Sequence, residues 1–348
     1  MKFFDTHCDT VLNARDSDFD FVNGADRGHV DLPRLVAADH CVQVFAVFAI
    51  RSYHPDADLA GVAHSYIGTI DGWAADSGGR MCFARSADDL RGALAADEPK
   101  LAAIIGLEGA DPLPTAEALP DFLDLGVRLI IPAWDDNQYS GTVFGECGPL
   151  TAEGHKLVEL ARDMHVMLDV SHLSDAAFDE VYAHMKGRPF IASHSNCRSI
   201  CPSLRDLTDA QIRALAGSGG VMGINLAPDF LDPDYHAAEA AIMAPMAHAD
   251  RPTRRKYREA MAAQFAAIPL PSLDRVAQHV LHAVNVGGED CVGIGGDLDG
   301  TGALPAPMTG VESYPLIVDA LVAAGLTERQ VEKVCWRNMA RAFLEVLP

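Results

Sequence analysis

The chain has 348 residues, 49% of them hydrophobic and 22% charged, which is typical of a globular protein and excludes a disordered chain. Its 49 Asp and Glu against 27 Lys and Arg give a formal charge of −22, which disfavours nucleic acid and membrane surfaces as partners. The first residues lack an apolar run long enough for a signal peptide, so we expect a cytoplasmic protein with reduced cysteines.

Short runs rich in Val, Ile and Phe alternate with amphipathic stretches, which is the pattern of repeated βα units. Eight runs are predicted as strands, at residues 2–7, 41–50, 101–107, 127–133, 165–170, 189–193, 220–225 and 291–296. Crossover helices are predicted at 151–164, 175–186, 208–216 and 271–286. Thr151, Ser174 and Thr208 each place a capping oxygen ahead of an apolar stripe and therefore mark helix starts.

Eight strands separated by helices predict an α/β fold, a TIM (β/α)8 barrel formed as a single domain over residues 1–348. Two segments depart from the repeat. Residues 227–268 are predicted as an insertion near the seventh loop that could form a lid, and extra helices are predicted after Gly310. On strand count alone a doubly wound open sheet is the runner-up, and the positions of the polar residues decide between the two folds.

The first predicted strand ends in Asp5-Thr-His7-Cys-Asp9. Because side chains alternate along a strand, His7 and Asp9 point to the same side. Imidazole nitrogen and carboxylate oxygen both suit zinc and similar divalent ions. The pair is therefore a candidate metal site, although a surface loop with a chance His and Asp explains this motif alone equally well.

Later strands end in the same kind of residue. The third strand delivers Glu108, a carboxylate that would be costly to bury without a cationic partner. The fifth and sixth each end in Ser-His, at His172 and His194, and this repetition argues against satisfied core histidines. Asp169 either accepts a hydrogen bond from the ring of His172 or is satisfied elsewhere.

The last predicted strand is glycine-rich and ends at Asp297. It lacks the lysine of a phosphate-binding loop, and the first strand lacks the glycines of a dinucleotide fingerprint, so a nucleotide-dependent oxidoreductase is a distant alternative. Close backbone packing around Asp297 is the better interpretation. Each candidate ligand thus follows a different strand, at the face where TIM barrels place their active sites, and this favours the barrel over the open sheet.

These residues predict two metal sites that share Glu108. His7 and Asp9 would complete one site, and His172 and His194 would complete the other. Such sites leave positions open for water, whose pKa two bridged cations would lower, so we expect hydrolysis with Asp297 as the acid–base group. Cys197 and Cys201 lie near His194 in sequence and could form a soft-metal site, but buried thiols without a metal role are the simpler interpretation.

Six ordered motifs give the chain a resemblance to a known family. They are Asp5-Thr-His7-Cys-Asp9, Gly106-Leu-Glu108-Gly, Ser171-His172, Ser193-His194-Ser195, Leu204-Arg205-Asp-Leu-Thr and Gly296-Asp297-Leu-Asp-Gly300. From Asp5 to about Gly300 the chain resembles the membrane (renal) dipeptidase family of the amidohydrolase superfamily. The resemblance implies a metallo-dipeptidase with two zinc ions on the five ligands above and a dipeptide as its partner. It also implies activity on dipeptides with a C-terminal D-residue, and a homodimer.

By position, the resemblance implies that Arg205 binds the dipeptide's terminal carboxylate and that Asp297 is catalytic. Without it, Arg205 would be taken for an exposed charge beside Asp206. The family usually has a Thr-His pair after its fourth strand, where this chain has Trp134, followed by Asn137. Trp134 and Asn137 are therefore candidate substrate contacts. Because an indole cannot act as a cationic clamp, two alternatives stay open: a different small amide or lactone as substrate, or a metal-binding protein that has lost catalysis.

Overall fold

A computed structural model describes residues 1–15, 18–96, 100–185, 187–247 and 249–348 of the chain. The nine strands of its sheet are β1 (Phe3–Cys8), β2 (His40–Val47), β3 (Met81–Phe83), β4 (Leu101–Glu108), β5 (Val127–Ile131), β6 (Met167–Leu168), β7 (Ile191–Ala192), β8 (Val221–Ile224) and β9 (Val292–Ile294).

Eight of the strands form a parallel barrel in the order β6-β5-β4-β2-β1-β9-β8-β7. The two ends of this order meet through a bridge between Asp169 and Ile191, where the amide of Val170 donates to the carbonyl oxygen of Ile191 at 2.8 Å. We refer to this junction of β6 and β7 as the β6–β7 seam. The predicted TIM-like barrel is confirmed, and the open doubly wound sheet is excluded.

The predicted strands need two corrections. Strand β3 is a ninth strand, which pairs with the start of β4 outside the ring. Strands β6 and β7 have only two residues each, whereas the sequence predicts six and five. A turn follows each of them, at residues 171–172 and 193–194, and His172 in the first turn adopts a left-handed backbone conformation with φ of 73°.

Fifteen α-helices surround the barrel in the part of the chain that the structure describes. They are α1 (Leu32–Ala37), α2 (Leu59–Asp76), α3 (Ala87–Leu94), α4 (Leu119–Asp124), α5 (Ala152–Asp163), α6 (Asp175–Met185), α7 (Asp209–Gly217), α8 (Pro228–Leu231), α9 (Pro233–Met243), α10 (Arg251–Ala260), α11 (Ala262–Phe265), α12 (Leu273–Gly287), α13 (Tyr314–Ala323), α14 (Glu328–Glu332) and α15 (Asn338–Val346). A π-helix at Lys333–Arg337 precedes α15. Among the described helices, none has the length and apolar character needed to span a membrane.

The predicted helix starts are confirmed by their caps. The hydroxyl of Thr151 accepts from the amide of Gly154 at 3.1 Å, and that of Ser174 accepts from the amide of Ala177 at 3.0 Å. Thr208 forms a capping box with Gln211 at the start of α7. Position 186, where the sequence predicts the end of α6, lies outside the described residues.

The core has two apolar layers because the barrel strands are buried on both faces. On β4, Ala102 and Ile104 belong to the cluster inside the barrel, while Ile105 and Leu107 pack against the surrounding helices. The inner cluster also contains Phe343 of α15. The C-terminal helix therefore covers the barrel end opposite to the strand ends that carry the candidate ligands.

The predicted insertion follows β8, which is the seventh strand of the barrel in chain order, and it is helical. Residues 227–268, apart from position 248, contain α8 to α11. Several of their side chains line a cavity at the C-terminal ends of the strands. The extra helices predicted after Gly310 are also present, as α13 to α15.

Candidate metal centre and active site

The five predicted ligands meet at one mouth of the barrel. His7 lies in β1 and Glu108 is the last residue of β4, whereas His172 and His194 follow β6 and β7. All of these and Asp9 are buried. Their ligand atoms fall into two groups with mutual distances below 4.8 Å, namely His7, Asp9, Glu108 and Glu108, His172, His194.

The first group is built around the ring of His7. Its Nε2 atom lies 3.5 Å from Oδ2 of Asp9 and 3.4 Å from Oε2 of Glu108. Asp5 accepts hydrogen bonds from the amides of His7 and Gly296, and so ties the end of β1 to the end of β9. This tie fixes the direction in which His7 enters the barrel mouth.

The second group uses the other oxygen of Glu108. Oε1 of Glu108 lies 3.0 Å from Nε2 of His172 and 3.7 Å from Nε2 of His194. The two Nε2 atoms are 2.9 Å apart. Ser193 orients His194, because its hydroxyl lies 2.6 Å from Nδ1 and thereby turns Nε2 towards the group. Glu108 thus faces one group with each oxygen, which is the arrangement of a bridging carboxylate.

The donor set fits divalent metal ions. Ligand atoms at 2.0–2.2 Å from a tetrahedral zinc ion lie about 3.4 Å from each other, close to the spacing around His7. The Nε2 atom of His7 is buried and has no hydrogen-bond partner among the described residues, as expected of an atom that serves as a ligand. Cys197 and Cys201 belong to neither group; their thiols are buried and donate to backbone carbonyls. The soft-metal alternative therefore has no support in the described part of the chain.

The electrostatics of the two groups differ. Burial lowers the pKa of His7, but Glu108 and Asp9 outweigh it and raise that pKa well above its usual value. Burial, together with neighbouring positive charges such as Arg205, holds the pKa values of His172 and His194 well below the usual range. Their surroundings therefore favour the neutral imidazole, which is the form that coordinates metal.

Asp297 lies beside the first group on a tight turn after β9. Its backbone is left-handed with φ of 55°, and Nδ2 of Asn225 donates to its Oδ2 atom at 2.9 Å. The pKa of Asp297 is raised to about 7, mainly by burial and also by the charges of Asp9 and Glu108, which together outweigh the lowering effect of His7. A carboxyl group that exchanges its proton near neutral pH is suited to acid–base chemistry.

Gly300 allows the carboxylates to approach each other. A Cβ atom at this position would overlap the carboxylates of Asp9 and Asp297. The glycine-rich strand end therefore makes room for side chains, in agreement with the close packing expected from the sequence.

Arg205 has a buried guanidinium without a carboxylate partner in the described chain. Its Nη1 atom donates to Oγ of Ser195 at 2.7 Å, Nη2 lies 3.3 Å from Nε2 of His172, and Nε has no partner. An uncompensated buried cation is costly. Because Arg205 also lines the cavity, the arrangement favours binding of an anion there.

The cavity above these residues has a volume of about 680 Å³, enough for a small ligand. Trp134 lies in its wall, with ring centroids 5.6 Å from His172 and 5.0 Å from Phe144. The guanidinium of Arg251, from α10, stacks 4.6 Å above the Trp134 ring. Trp134 therefore faces the cavity and also joins the barrel mouth to the insertion.

Two residues singled out from the sequence lie away from the ligand cavity. The amide of Asn137 donates to Oδ2 of Asp111 at 2.7 Å, and its oxygen accepts from the amides of Tyr139 and Ser140. Asn137 is not among the cavity-lining residues, so we assign it to the loop that carries Trp134 and not to substrate. Asp169 does not contact the ring of His172.

Instead, Asp169 joins the two strands at the β6–β7 seam. Its Oδ1 atom accepts from the amides of Ser171 and Ser193, at 2.9 and 3.0 Å. Of the two interpretations of Asp169, the structure supports the one in which its carboxylate is hydrogen-bonded away from the histidine, through Oδ1. It replaces the ladder hydrogen bonds that the short strands lack.

Sequence reasoning missed the residues that support the site. Asn225 holds Asp297 and Ser195 holds Arg205, yet nothing in the local sequence distinguishes them from other strand-end polar residues. The arginines of α10 were also not among the predicted site residues. In the run Arg251-Pro-Thr-Arg254-Arg255-Lys-Tyr-Arg258, the arginines recur at the spacing of one helix face. That spacing is the signal that could have revealed a basic helix face.

Comparison with known proteins identifies one family. The family model described as membrane dipeptidase (peptidase family M19) matches residues 1–347. A Klebsiella pneumoniae protein, described as an uncharacterized protein in the pqqA 5′ region, is 31% identical over 281 residues, which cover 78% of this chain and 91% of that protein. Dipeptidase 3 of mouse is 28% identical over 283 residues, 77% of this chain but only 49% of that protein. The chain thus spans about half the length of this mammalian relative.

Solved structures agree with the family match. A metallopeptidase of family M19, described as dipeptidase AC, is 26% identical with a TM-score of 0.82 and covers 100% of this chain and 99% of its own. A Rhodobacter sphaeroides metallopeptidase, liganded with a phosphinate mimic of the dipeptide L-Ala-D-Ala, is 25% identical with a TM-score of 0.82 and 99% coverage of both chains.

Proposed function

The chain belongs to the membrane dipeptidase family, a family of metallopeptidases, and from this premise we propose that it is a binuclear zinc-dependent dipeptidase. The observation that carries the proposal is the bridging position of Glu108, whose two oxygens face two separate groups of histidine and carboxylate ligands. A structural metal site is normally closed by four protein ligands. Each group here offers three ligand residues, as catalytic sites do.

We assign the two ions to the predicted ligands. His7, Asp9 and Glu108 would hold one ion, and Glu108, His172 and His194 would hold the other. When bound, two zinc ions would supply a Lewis acid and an activated water for attack on an amide. The protein contributes two histidines, His172 and His194, in an environment that favours the neutral imidazole, a carboxylate positioned to bridge, and a buried position for the ligands.

Arg205 would orient the substrate. Its buried guanidinium lacks a carboxylate partner among the described residues and opens onto the cavity, so the terminal carboxylate of a dipeptide would satisfy it through charge-assisted hydrogen bonds. Ser195 fixes one side of the guanidinium by accepting from Nη1. A dipeptide anchored in this way would have its amide bond held near the metal ligands, because Arg205 also contacts His172.

Asp297 would carry the proton of the reaction. Its carboxylate lies with His7 and His194 in one group of close polar atoms, and Asn225 fixes one of its oxygens. The other oxygen is left to accept a proton from the attacking water and to transfer it to the departing amine. A D-residue at the C-terminus of the substrate is supported by the Rhodobacter sphaeroides relative, which is liganded with a phosphinate mimic of L-Ala-D-Ala.

Trp134 favours one alternative to ordinary dipeptide hydrolysis. Its ring lies in the cavity wall beside His172, where an indole offers one hydrogen-bond donor and no positive charge. The same metal site could therefore act on another small amide or on a lactone, or retain metal without catalysis. An assay across substrates separates these possibilities.

The test is hydrolysis of a library of L,L and L,D dipeptides by the zinc-loaded protein, with His194→Ala as the control. We expect turnover by the wild type, about two zinc ions per chain by elemental analysis, and loss of turnover in the variant because one ion site is broken. If the wild type retains two ions but turns over no dipeptide, the proposal is wrong and the alternatives suggested by Trp134 take its place.

A further inference from the structure

Helix α10 presents a row of arginines to the cavity. Arg251, Arg254, Arg255 and Arg258 are spaced three, one and three residues apart, so they share one face of the helix. All four line the same cavity as the metal ligands. In a chain with a formal charge of −22, such a concentration of positive charge at the cavity mouth is a local departure from the overall charge.

Two of the four arginines have structural partners. Arg251 forms two hydrogen bonds with Asp135, at 2.9 and 3.1 Å, and stacks on the ring of Trp134. Arg258 forms two hydrogen bonds with Glu239, at 2.6 and 3.1 Å. These pairs attach α10 to the loop after β5 and to α9, and they neutralise both guanidinium groups.

Arg254 and Arg255 are not neutralised in this way. Arg254 has no carboxylate within ion-pair distance in the described ranges, and Nε of Arg255 lies 3.8 Å from Glu259 of the same helix. That pair is largely exposed and contributes little. Two positive charges therefore remain available at the cavity mouth.

Within the described ranges, no acidic residue that lines the cavity outside the metal groups forms an ion pair with Arg254 or Arg255. Asp299 accepts from the hydroxyl of Thr10 and from the amide of His29, at 2.7 and 2.6 Å. Burial and the charge of Glu239 together raise the pKa of Asp229 to about 7. Asp299 is thus engaged by hydrogen bonds, and Asp229 is held partly in its neutral form.

We propose that Arg254 and Arg255 select dipeptides that carry an acidic side chain. The inference rests on the proposed dipeptidase function, in which Arg205 takes the terminal carboxylate. An aspartyl or glutamyl residue then brings a second carboxylate, for which two guanidinium groups at the cavity mouth are suitable partners. The local positive charge also draws in a dianionic substrate that the overall negative charge of the chain repels.

The test compares Glu-Ala with Gln-Ala and Ala-Glu with Ala-Gln, because each pair differs in charge at nearly constant shape. In at least one of the two pairs, we expect the wild type to have a kcat/KM about tenfold higher for the glutamyl peptide than for its glutaminyl counterpart. Charge-assisted contacts at a half-exposed site allow a preference of this size. Arg254→Gln combined with Arg255→Gln should bring the ratio close to one. Lys100→Gln combined with Lys256→Gln removes two exposed charges outside the cavity lining and should leave the ratio unchanged.

A second measurement does not depend on turnover. Calorimetry would measure the binding of phosphinate mimics of the same peptides. The wild type should bind the charged mimic more tightly than the neutral one, and the arginine variant should lose this preference. Equal binding of charged and neutral mimics by the wild type, or a preference kept in the arginine variant, would overturn the inference even if dipeptides are hydrolysed. Charge-selective binding without any hydrolysis would support the inference and contradict the proposed function.

Discussion

At the scale of single residues, the barrel mouth concentrates strained backbone and buried charge. His172 and Asp297 both adopt left-handed conformations, which residues other than glycine seldom do. Such conformations persist only where the surroundings enforce them. The carbonyl oxygen of His172 accepts from the amide of Val143, and the amide of Asp297 donates to the carbonyl oxygen of His7. The strain turns one ligand and the candidate acid–base group towards the same space.

Replacing Asp297 by Asn tests its assigned role most directly. The amide has nearly the same shape and still accepts from Asn225, but it cannot carry the proton, so kcat should fall by about 10²–10⁴-fold. Zinc content, measured by elemental analysis, should stay at the wild-type value because His7, Asp9, Glu108, His172 and His194 are intact. Turnover close to that of the wild type would remove Asp297 from the mechanism.

The sequence is informative about residues whose chemistry is unusual at their position. A Glu or His at the end of an apolar strand is costly unless something pairs with it, which is why Glu108, His172 and His194 could be selected without a structure. Asn225 and Ser195 could not, because an uncharged polar residue at a strand end is common. Their roles depend on which strand end lies beside which, and that is set by the closed ring.

At the scale of elements, the segment from Arg205 to α7 connects the arginine proposed to bind the substrate carboxylate to a helix start. Only Asp206 and Leu207 separate Arg205 from the Thr208 cap, whose amide donates to Oε1 of Gln211 at 2.8 Å. The hydroxyl of Thr208 accepts in turn from the amide of Gln211. The reciprocal bonds fix the turn that carries the arginine.

Replacing Thr208 by Ala should lower the free energy of unfolding by about 1 kcal/mol and also raise KM, because the turn beside Arg205 loosens. Thr327 forms the same box with Gln330 at the start of α14 and provides a matched control. Thr327→Ala should cost a similar amount in urea unfolding without a change in KM. Equal effects of the two changes on KM would show that the cap does not position Arg205.

The elements themselves were predictable where their pattern was long. Strands β1, β2 and β4 and helices α5, α7 and α12 follow from apolar periodicity and from caps such as Thr151 and Thr208. The three-residue strand β3 is too short to give a period of two that can be recognised. The arginine-rich α10 was assigned only to an irregular insertion, because its polar residues, and not an apolar stripe, face the cavity.

At the scale of the whole molecule, the end of the barrel opposite to the candidate metal site contains a buried titratable group that should make the protein less stable in acid. His40 is buried between the rings of Phe3 and Tyr314, and neither of its ring nitrogens has a partner in the described chain. Burial lowers the pKa of His40 to about 3. The unfolded chain, whose histidines titrate near 6.5, therefore binds a proton that the folded protein does not.

This difference should destabilise the protein as the pH falls below about 6.5, by about 1.4 kcal/mol for each pH unit until the pH approaches 3. Above pH 6.5, His40 is largely neutral in both the folded and the unfolded protein and has little effect on the pH dependence of stability. Between pH 7.5 and pH 5.0, the wild type should lose about 2 kcal/mol more of its free energy of unfolding in urea than His40→Phe does, because the other buried histidines contribute equally to both proteins. Parallel losses in the two proteins would mean that the His40 ring is not held neutral.

The order of predicted elements and the overall charge of the sequence differ in how much of the structure they predict. The order of strands and helices was sufficient to predict the barrel, since a parallel sheet with polar residues at one set of strand ends has few other solutions. Overall charge did not reveal where the positive charges gather. The row of arginines depends on how the insertion folds over the mouth, which composition does not encode.

The positions of His172 and His194 relate the proposed metal site to the closure of the barrel at the β6–β7 seam. The ring is complete elsewhere through ordinary strand pairing, but here it is joined by one bridge, by Asp169 and by the serines on either side. His172 and His194 leave from the two sides of this seam, one from each strand. In our proposal a metal ion bound by both Nε2 atoms would link the two sides of this seam, so that closure of the barrel and formation of the metal site would depend on the same two side chains.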